Sequence, residues 1–337
     1  MADKVLVTGS TGFLGSQLCR ALVNQGYQVR AFHRAVSTLR AIEDLPVEHA
    51  VGDLTDLASI RSAMQGVNFV FHVAALIGAR EDPHGLKTVT VGGTRAVVQA
   101  ALETGVRRLV HTSSVAALGI PAGSTPVDEH HTWNSLPERY PYGYAKYLAE
   151  LEIQKGVSRG LDAVIVNPSL VFGPGDIYRV SSSLVALVAR QKIPALVEGG
   201  VNVVHIDDVI AGHLAALKHG KTGERYILGG ENMTIQEMVT AIAAVTGAAA
   251  PPFVLPSGLV RRLAGLIGRL EAFISLPVNA GLFKLAGCTF YYDPTKAQTD
   301  LDLPAPLPAA QAFADAYAWF QQAGALPVTP QSPTSSG

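Results

Sequence analysis

The chain has 337 residues, 26 basic and 27 acidic side chains and a net charge of −1. A near-neutral chain of this length can bury a large core, and it offers no basic footprint for nucleic acid. Its two cysteines, Cys19 and Cys288, argue against a disulfide framework, and Met-Ala-Asp-Lys leads straight into a strand-like run without a signal sequence, so a cytoplasmic setting is expected.

The first apolar run, 5–7, is followed by Thr8-Gly9-Ser10-Thr11-Gly12-Phe13-Leu14-Gly15 and then by helical periodicity over 16–23. Strand, glycine turn and helix in that order make a pyrophosphate cradle. The glycines permit a tight turn and close approach, and the helix N-terminus supplies the positive end. Further strand-like runs fall at 28–32, 47–51, 69–73, 108–112 and 163–166, with helical patterns at 57–64, 93–103 and 142–155 between them. Such alternation predicts an α/β fold, a Rossmann-type doubly wound parallel sheet whose C-terminal strand ends share one crevice. Gly9, Asp53, Ala74, Ser114 and Pro168 each stand just past a strand and should line it.

Tyr142-Gly143-Tyr144-Ala145-Lys146 places a phenol and an ammonium one helical turn apart, on one face. A phenol with a pKa near 10 is a poor base at neutral pH, and a neighbouring cation favours its phenolate. Ser113 and Ser114 follow the 108–112 run, and either can offer a hydroxyl to a substrate oxygen. After the second run the chain reads Arg30-Ala31-Phe32-His33-Arg34, with no acid until Glu43. A carboxylate there would suit a ribose 2′-hydroxyl, whereas Arg34 suits a 2′-phosphate, so NADP(H) is favoured and NAD(H) remains possible. Alternatively Arg34 covers an adenine face. His205, Asp207 and Asp208, and the solvent-facing His130 and His131, lack metal-ligand spacing, so no metal is expected.

These segments together resemble the extended short-chain dehydrogenase/reductase, or NAD-dependent epimerase/dehydratase, family. The likeness rests on Thr8-Gly9-x-x-Gly12-x-x-Gly15, Gly52-Asp53-Leu54, Phe71-His72-Val73-Ala74-Ala75, Thr112-Ser113-Ser114, Tyr142-x-x-x-Lys146, Asn167-Pro168-Ser169 and Val204-His205-Ile206-Asp207-Asp208, in family order. The stretch 223–234 is similar to the dihydroflavonol-reductase-like branch and to bacterial hopanoid-associated sugar epimerases. The resemblance implies Ser114, Tyr142 and Lys146 as the catalytic set. It implies Gly9, Thr11, Gly12, Phe13, Leu14, Gly15, Arg34, Asp53, Leu54, Ala74, Ala75, Lys146 and Pro168 around the nucleotide, with Asp53 placed for the adenine; its plainer alternative is a cap on the helix starting near Asp56. One departure is Thr90-Val91-Gly92-Gly93-Thr94, where the family usually has Asn at the first position.

A nucleotide domain of 1–175 and 203–228 is expected beneath a smaller, mostly helical substrate lobe of 176–202 and 229–326, with a Pro-, Ser- and Thr-rich disordered tail at 327–337. Ile177, Tyr178, Val180, Leu184, Leu187, Leu266 and Phe273 are expected to line the lobe, which favours a small-molecule ketone or alcohol on an apolar scaffold. A nucleotide-sugar epimerase with tightly bound NAD is the alternative, and Arg179, Arg190 and Arg262 are the cations that could serve it. Charged residues and Pro277 interrupt the apolar 259–285 stretch, so no transmembrane segment is expected there; a helix pair, a lid or a membrane-surface contact are the readings it allows. Family likeness also allows a homodimer through the 93–103 and 142–155 helices.

Overall fold

The computed structural model describes residues 2–76, 83–176, 183–262 and 284–326. Every strand and helix expected over residues 5–166 is found, as β1 (Lys4–Thr8), α1 (Phe13–Asn24), β2 (Gln28–His33), β3 (Glu48–Val51), α2 (Leu57–Met64), β4 (Phe69–His72), α4 (Gly93–Thr104), β5 (Arg108–Thr112), α5 (Pro141–Val157) and β6 (Ala163–Pro168). A short turn of helix, α3 (Pro83–Gly85), and a π-helical stretch, Leu86–Gly92, precede α4. Downstream come β7 (Leu170–Phe172), α6 (Ser183–Ala189), β8 (Leu196–Val197), β9 (Gly200–His205), α7 (Ile206–His219), β10 (Arg225–Leu228), β11 (Glu231–Thr234), α8 (Ile235–Thr246), β12 (Val254–Leu255), α9 (Thr295–Asp300) and α10 (Ala309–Gln322).

Seven strands form one parallel sheet in the order β10-β6-β5-β4-β1-β2-β3. Reversal of strand order beside β1 opens the crevice at the C-terminal strand ends. Both faces are covered, so the strands read as continuous apolar runs rather than alternating ones. Val5, Val7, Phe71, Val110 and Val164 pack against α1 and α7, while Leu6, Val70, Leu109 and Ile165 pack against α2, α4 and α5. On this second face the apolar rows end in a polar layer. Thr8, His72 and His111 are direct register neighbours, and all are buried.

A second core lies under a three-stranded sheet ordered β11-β9-β7. It joins Phe172 and Val203 to Val185, Met238, Ile242, Ala312 and Phe313 from α6, α8 and α10. Phe172 and Phe313 meet edge to face at 4.9 Å. Thr234 opens α8 with a full capping box to Glu237, which explains why the chain turns sharply from strand to helix there. Among the described residues no helix is long and apolar enough to cross a membrane. Most of the 259–285 stretch and the 327–337 tail lie outside those residues.

Candidate active site

The turn after β1 is built by exclusion of side chains. Gly9 has φ +68°, and a Cβ there would sit 2.9 Å from the Ala74 backbone. A Cβ on Gly15 would collide with the Gly9 carbonyl. Gly12 N donates to Gly9 O at 2.9 Å and then serves as the N-cap of α1, with no side chain closing the helix end. Thr11 and Phe13 are buried and Leu14 is half-buried, so the turn presents backbone amides rather than bulk. Ser10 Oγ ties it to β2 by donating to Phe32 O at 3.1 Å. A glycine cradle leading into an uncapped helix start fits a pyrophosphate.

Thr8 links this turn to the loop after β4. Its Oγ1 accepts from Ala74 N at 3.2 Å and donates to His72 Nδ1 at 2.8 Å. His72 Nε2–H then donates to Thr94 Oγ1 at 3.0 Å, because the Thr94 hydroxyl is spent on Thr90 O at 2.7 Å. The tautomer follows from that chain. Thr90 Oγ1 accepts from Leu76 N at 3.3 Å, so the hydroxyl that replaces the usual amide holds the loop beyond Ala74 and Ala75. Across the crevice Arg34 is exposed just beyond β2, and its charge helps to hold the Asp53 carboxyl below its usual range. The main cause is Thr55, whose N and Oγ1 both donate to Asp53 Oδ1 at 2.8 and 2.7 Å. Asp53 therefore is not the α2 cap: Asp56 is, accepting from Ala58 N at 2.9 Å. Leu54 is buried against Gly93, where a Cβ would lie 2.9 Å from its own.

Tyr142 and Lys146 lie one turn apart on α5, and Ser114 caps the 3-10 turn Val115–Leu118 that leaves β5. Lys146 is 2% exposed and donates to Thr112 O at 2.9 Å. Burial pushes its ammonium down to about 8, while the carboxylate of Glu150, one turn further, works the other way. Tyr142 is half-buried against Leu86, Val91 and Ala145. The two serines differ. Ser114 is half-buried with its Oγ accepting from Ala116 N at 3.2 Å, whereas Ser113 is buried and its Oγ has no partner among the described residues. Pro168 is buried at the end of β6, opposite Leu228.

Other expectations resolve differently. His205 caps α7 through Asp207 N at 3.0 Å and reaches Asp315 of α10 at 3.2 Å, a link between the two cores. His130 is exposed beside Asp128, but His131 is not simply solvated: its Nδ1–H donates to Leu118 O at 2.7 Å. Among the described residues no group of three His, Cys, Asp or Glu is placed to hold a metal. Arg190 donates to Ala325 O at 2.6 Å, and Leu184 is half-buried against the second core. Ile177, Tyr178, Arg179, Val180, Leu266 and Phe273 lie outside the described residues. Sequence reasoning missed Glu150 and Arg225. Glu150 carried a signal, since a carboxylate one turn past Lys146 shares its inward face.

A parallel doubly wound sheet, a glycine cradle and a Tyr–Lys pair on one helix define a Rossmann-type enzyme of the short-chain dehydrogenase/reductase class. The NAD dependent epimerase/dehydratase family model matches residues 5–229, and the chain belongs to that family. It is 39% identical over 336 residues to a putative dihydroflavonol 4-reductase of Synechocystis sp., covering 96% of both chains. It is 37% identical to sterol demethylase protein B of Methylococcus capsulatus, covering 95% of this chain and 99% of that one. Among solved structures, that of gox2253 superposes with a TM-score of 0.85 at 36% identity, covering 96% of this chain and 99% of the other. A nucleoside-diphosphate-sugar epimerase from Pseudomonas aeruginosa gives 0.81 at 26%, with the same coverage.

Proposed function

We propose that this protein is an NAD(P)-dependent oxidoreductase that interconverts a ketone and an alcohol on a rather apolar substrate, with NADP(H) preferred. What supports it is that the 9–15 cradle and the Ser114 turn follow the C-terminal ends of β1 and β5 in the middle of the sheet, and that Lys146 of α5 donates to Thr112 O at the end of β5. The amides beyond Gly12 would take the pyrophosphate, Arg34 a ribose 2′-phosphate, Asp53 and Leu54 the adenine, and Lys146 the nicotinamide ribose. Ala74, Ala75 and Pro168 would close the crevice walls. When bound, the nicotinamide supplies or accepts the hydride. Ser114 Oγ donates a hydrogen bond to the substrate oxygen, and Tyr142 gives that oxygen its proton in the reductive direction. Lys146 holds a positive charge beside the phenol, which favours the phenolate left behind. The substrate would sit between the nucleotide domain, 1–175 and 203–228, and the lobe of 176–202 and 229–326.

The names of the relatives support an apolar ketone. Besides the two above, a 2-alkyl-3-oxoalkanoate reductase of Stenotrophomonas maltophilia is 33% identical over 262 residues. The second reading, a nucleotide-sugar epimerase that keeps NAD bound, is favoured by the Pseudomonas structure. Cofactor state separates them. The purified protein should exchange NADPH freely and consume it with a dihydroflavonol or a 3-oxoalkanoate; stoichiometric NAD released on denaturation supports the epimerase instead. Arg34→Ala should weaken NADPH binding about 10-fold or more and NADH binding less than about twofold, the loss of one charge-assisted pair. Equal losses for both nucleotides reject the phosphate clamp.

A further inference from the structure

Ser114 and the Tyr142–Lys146 pair come from separate elements, so something other than chain connectivity must fix their spacing. Asn167, 0% exposed at the end of β6, spans the gap. Its Nδ2 donates one hydrogen to Ser114 O at 2.9 Å and the other to Glu150 Oε1, on α5, at 2.6 Å. Glu150 is buried and its Oε2 accepts from Arg225 Nη1 at 3.2 Å. Three further guanidinium donors reach Glu129 O, at 2.9 and 2.6 Å, and His131 O at 2.7 Å. His131 in turn holds Leu118 O, the far end of the Ser114 turn. Facing that turn, Gly143 stands beside Tyr142, and a Cβ there would lie 2.6 Å from Ala116 O.

We propose that buried Asn167 and Glu150, with half-buried Arg225, form a clamp that sets the distance between the Ser114 hydroxyl and the Tyr142 phenol, with Gly143 as the contact that lets α5 close on the turn. These are positioning residues, and their role rests on the oxidoreductase reading above. Packing alone does not call for them. Ala163 and Ile165 fill the same face of β6 with apolar side chains, and a carboxylate buried against a half-buried guanidinium costs desolvation that a hydrophobic pair does not. What the polar set provides is direction. Both amide hydrogens of Asn167 are committed, one to each element, so the turn and the helix move together or not at all.

Asn167→Ala should lower kcat for NADPH-dependent reduction of dihydroquercetin or a 3-oxoalkanoate about 100-fold, the expected cost of a 1 Å misplacement. NADPH Kd, read by fluorescence quenching, should stay within about threefold because the 9–15 cradle is untouched. Glu150→Gln keeps an acceptor for Asn167 but turns an amide N–H toward Arg225 Nη1, so its kcat should fall between the wild type and Glu150→Ala, which should fall with Asn167→Ala. Gly143→Ala should lower kcat by a similar factor through the opposite contact. Crystal structures of the Asn167→Ala and Gly143→Ala variants should show the Val115–Leu118 turn displaced from α5, whichever substrate is used. Wild-type kcat in Asn167→Ala, an unmoved turn, or a parallel loss of kcat, nucleotide affinity and thermal stability would each overturn the clamp. Wild-type turnover in Tyr142→Phe would overturn the oxidoreductase reading instead.

Discussion

Replacing Tyr142 by Phe lowers kcat by about 1,000-fold on this account, within the usual range for losing a positioned proton donor, and changes NADPH affinity by less than about threefold. The asymmetry is the diagnostic. Phe keeps the packing of the ring against Leu86, Val91 and Ala145 while removing only the hydroxyl. Lys146 adds a pH signature, because burial brings its ammonium down to about 8. Below that value it is charged and favours the phenolate; above it the charge is lost. The wild-type rate should therefore change near pH 8, and that feature should vanish from the residual rate of Tyr142→Phe. A variant that turns over like the wild type would mean that another group supplies the proton.

The largest effect on stability is expected from acid. His72, His111 and His213 are buried around β4, β5 and α7, and the charge of Lys146 acts on His72 and His111. Burial, with the charge of Lys146 second, brings His72 down to about 3, and burial brings His213 to about 4 despite its bond to Val209 O. His111 is held well below its ordinary value, and neither ring nitrogen has a partner among the described residues. The sign is fixed by which state binds protons first. The unfolded chain protonates these imidazoles near pH 6.5, while in the folded chain His72 and His213 resist until about pH 4 or below and His111 until well below its ordinary value, so stability is complete above pH 6.5 and falls as the pH drops. Down to pH 4, His72 and His213 together forfeit on the order of 7 kcal/mol, a large share of an ordinary folding free energy. Carboxylates held low by cations, such as Glu152 beside Arg95, add their own loss only at lower pH. Urea unfolding between pH 7 and 4.5 should show uptake approaching three protons, reduced by about one in His111→Leu. A flat profile, or an unchanged slope in the variant, would show that these histidines titrate normally in the folded state.

What could be read in advance followed the range of each interaction. The parallel sheet was legible because strands covered on both faces must be apolar throughout, as in 5–7 and 163–166, and because helical periodicity separates them. The Tyr142–Lys146 pair was legible because helical geometry alone puts residues four apart on one face. Asp53 and Asp56 were harder: both stand before α2, and only the donors available at Thr55 and Ala58 decide which caps it. Glu150, Asn167 and Arg225 come from three distant segments and acquire meaning only once β6, β10 and α5 are adjacent. His111 looked like any strand residue, and burial rather than spacing makes it unusual. Leu184, expected at the substrate, is half-buried against the second core, where α6 packs on α8 and α10.

The central claim concerns where a nicotinamide nucleotide meets the Tyr142 phenol, and a crystal structure of the protein soaked with NADP(H) tests it most directly. The account predicts pyrophosphate on the amides of the 9–15 turn, the 2′-phosphate at Arg34, and the nicotinamide ribose within hydrogen-bond reach of Lys146, its ring facing the Tyr142 and Ser114 hydroxyls. Nucleotide bound elsewhere, or bound in the crevice with the Tyr142 hydroxyl turned away from the ring, would contradict it.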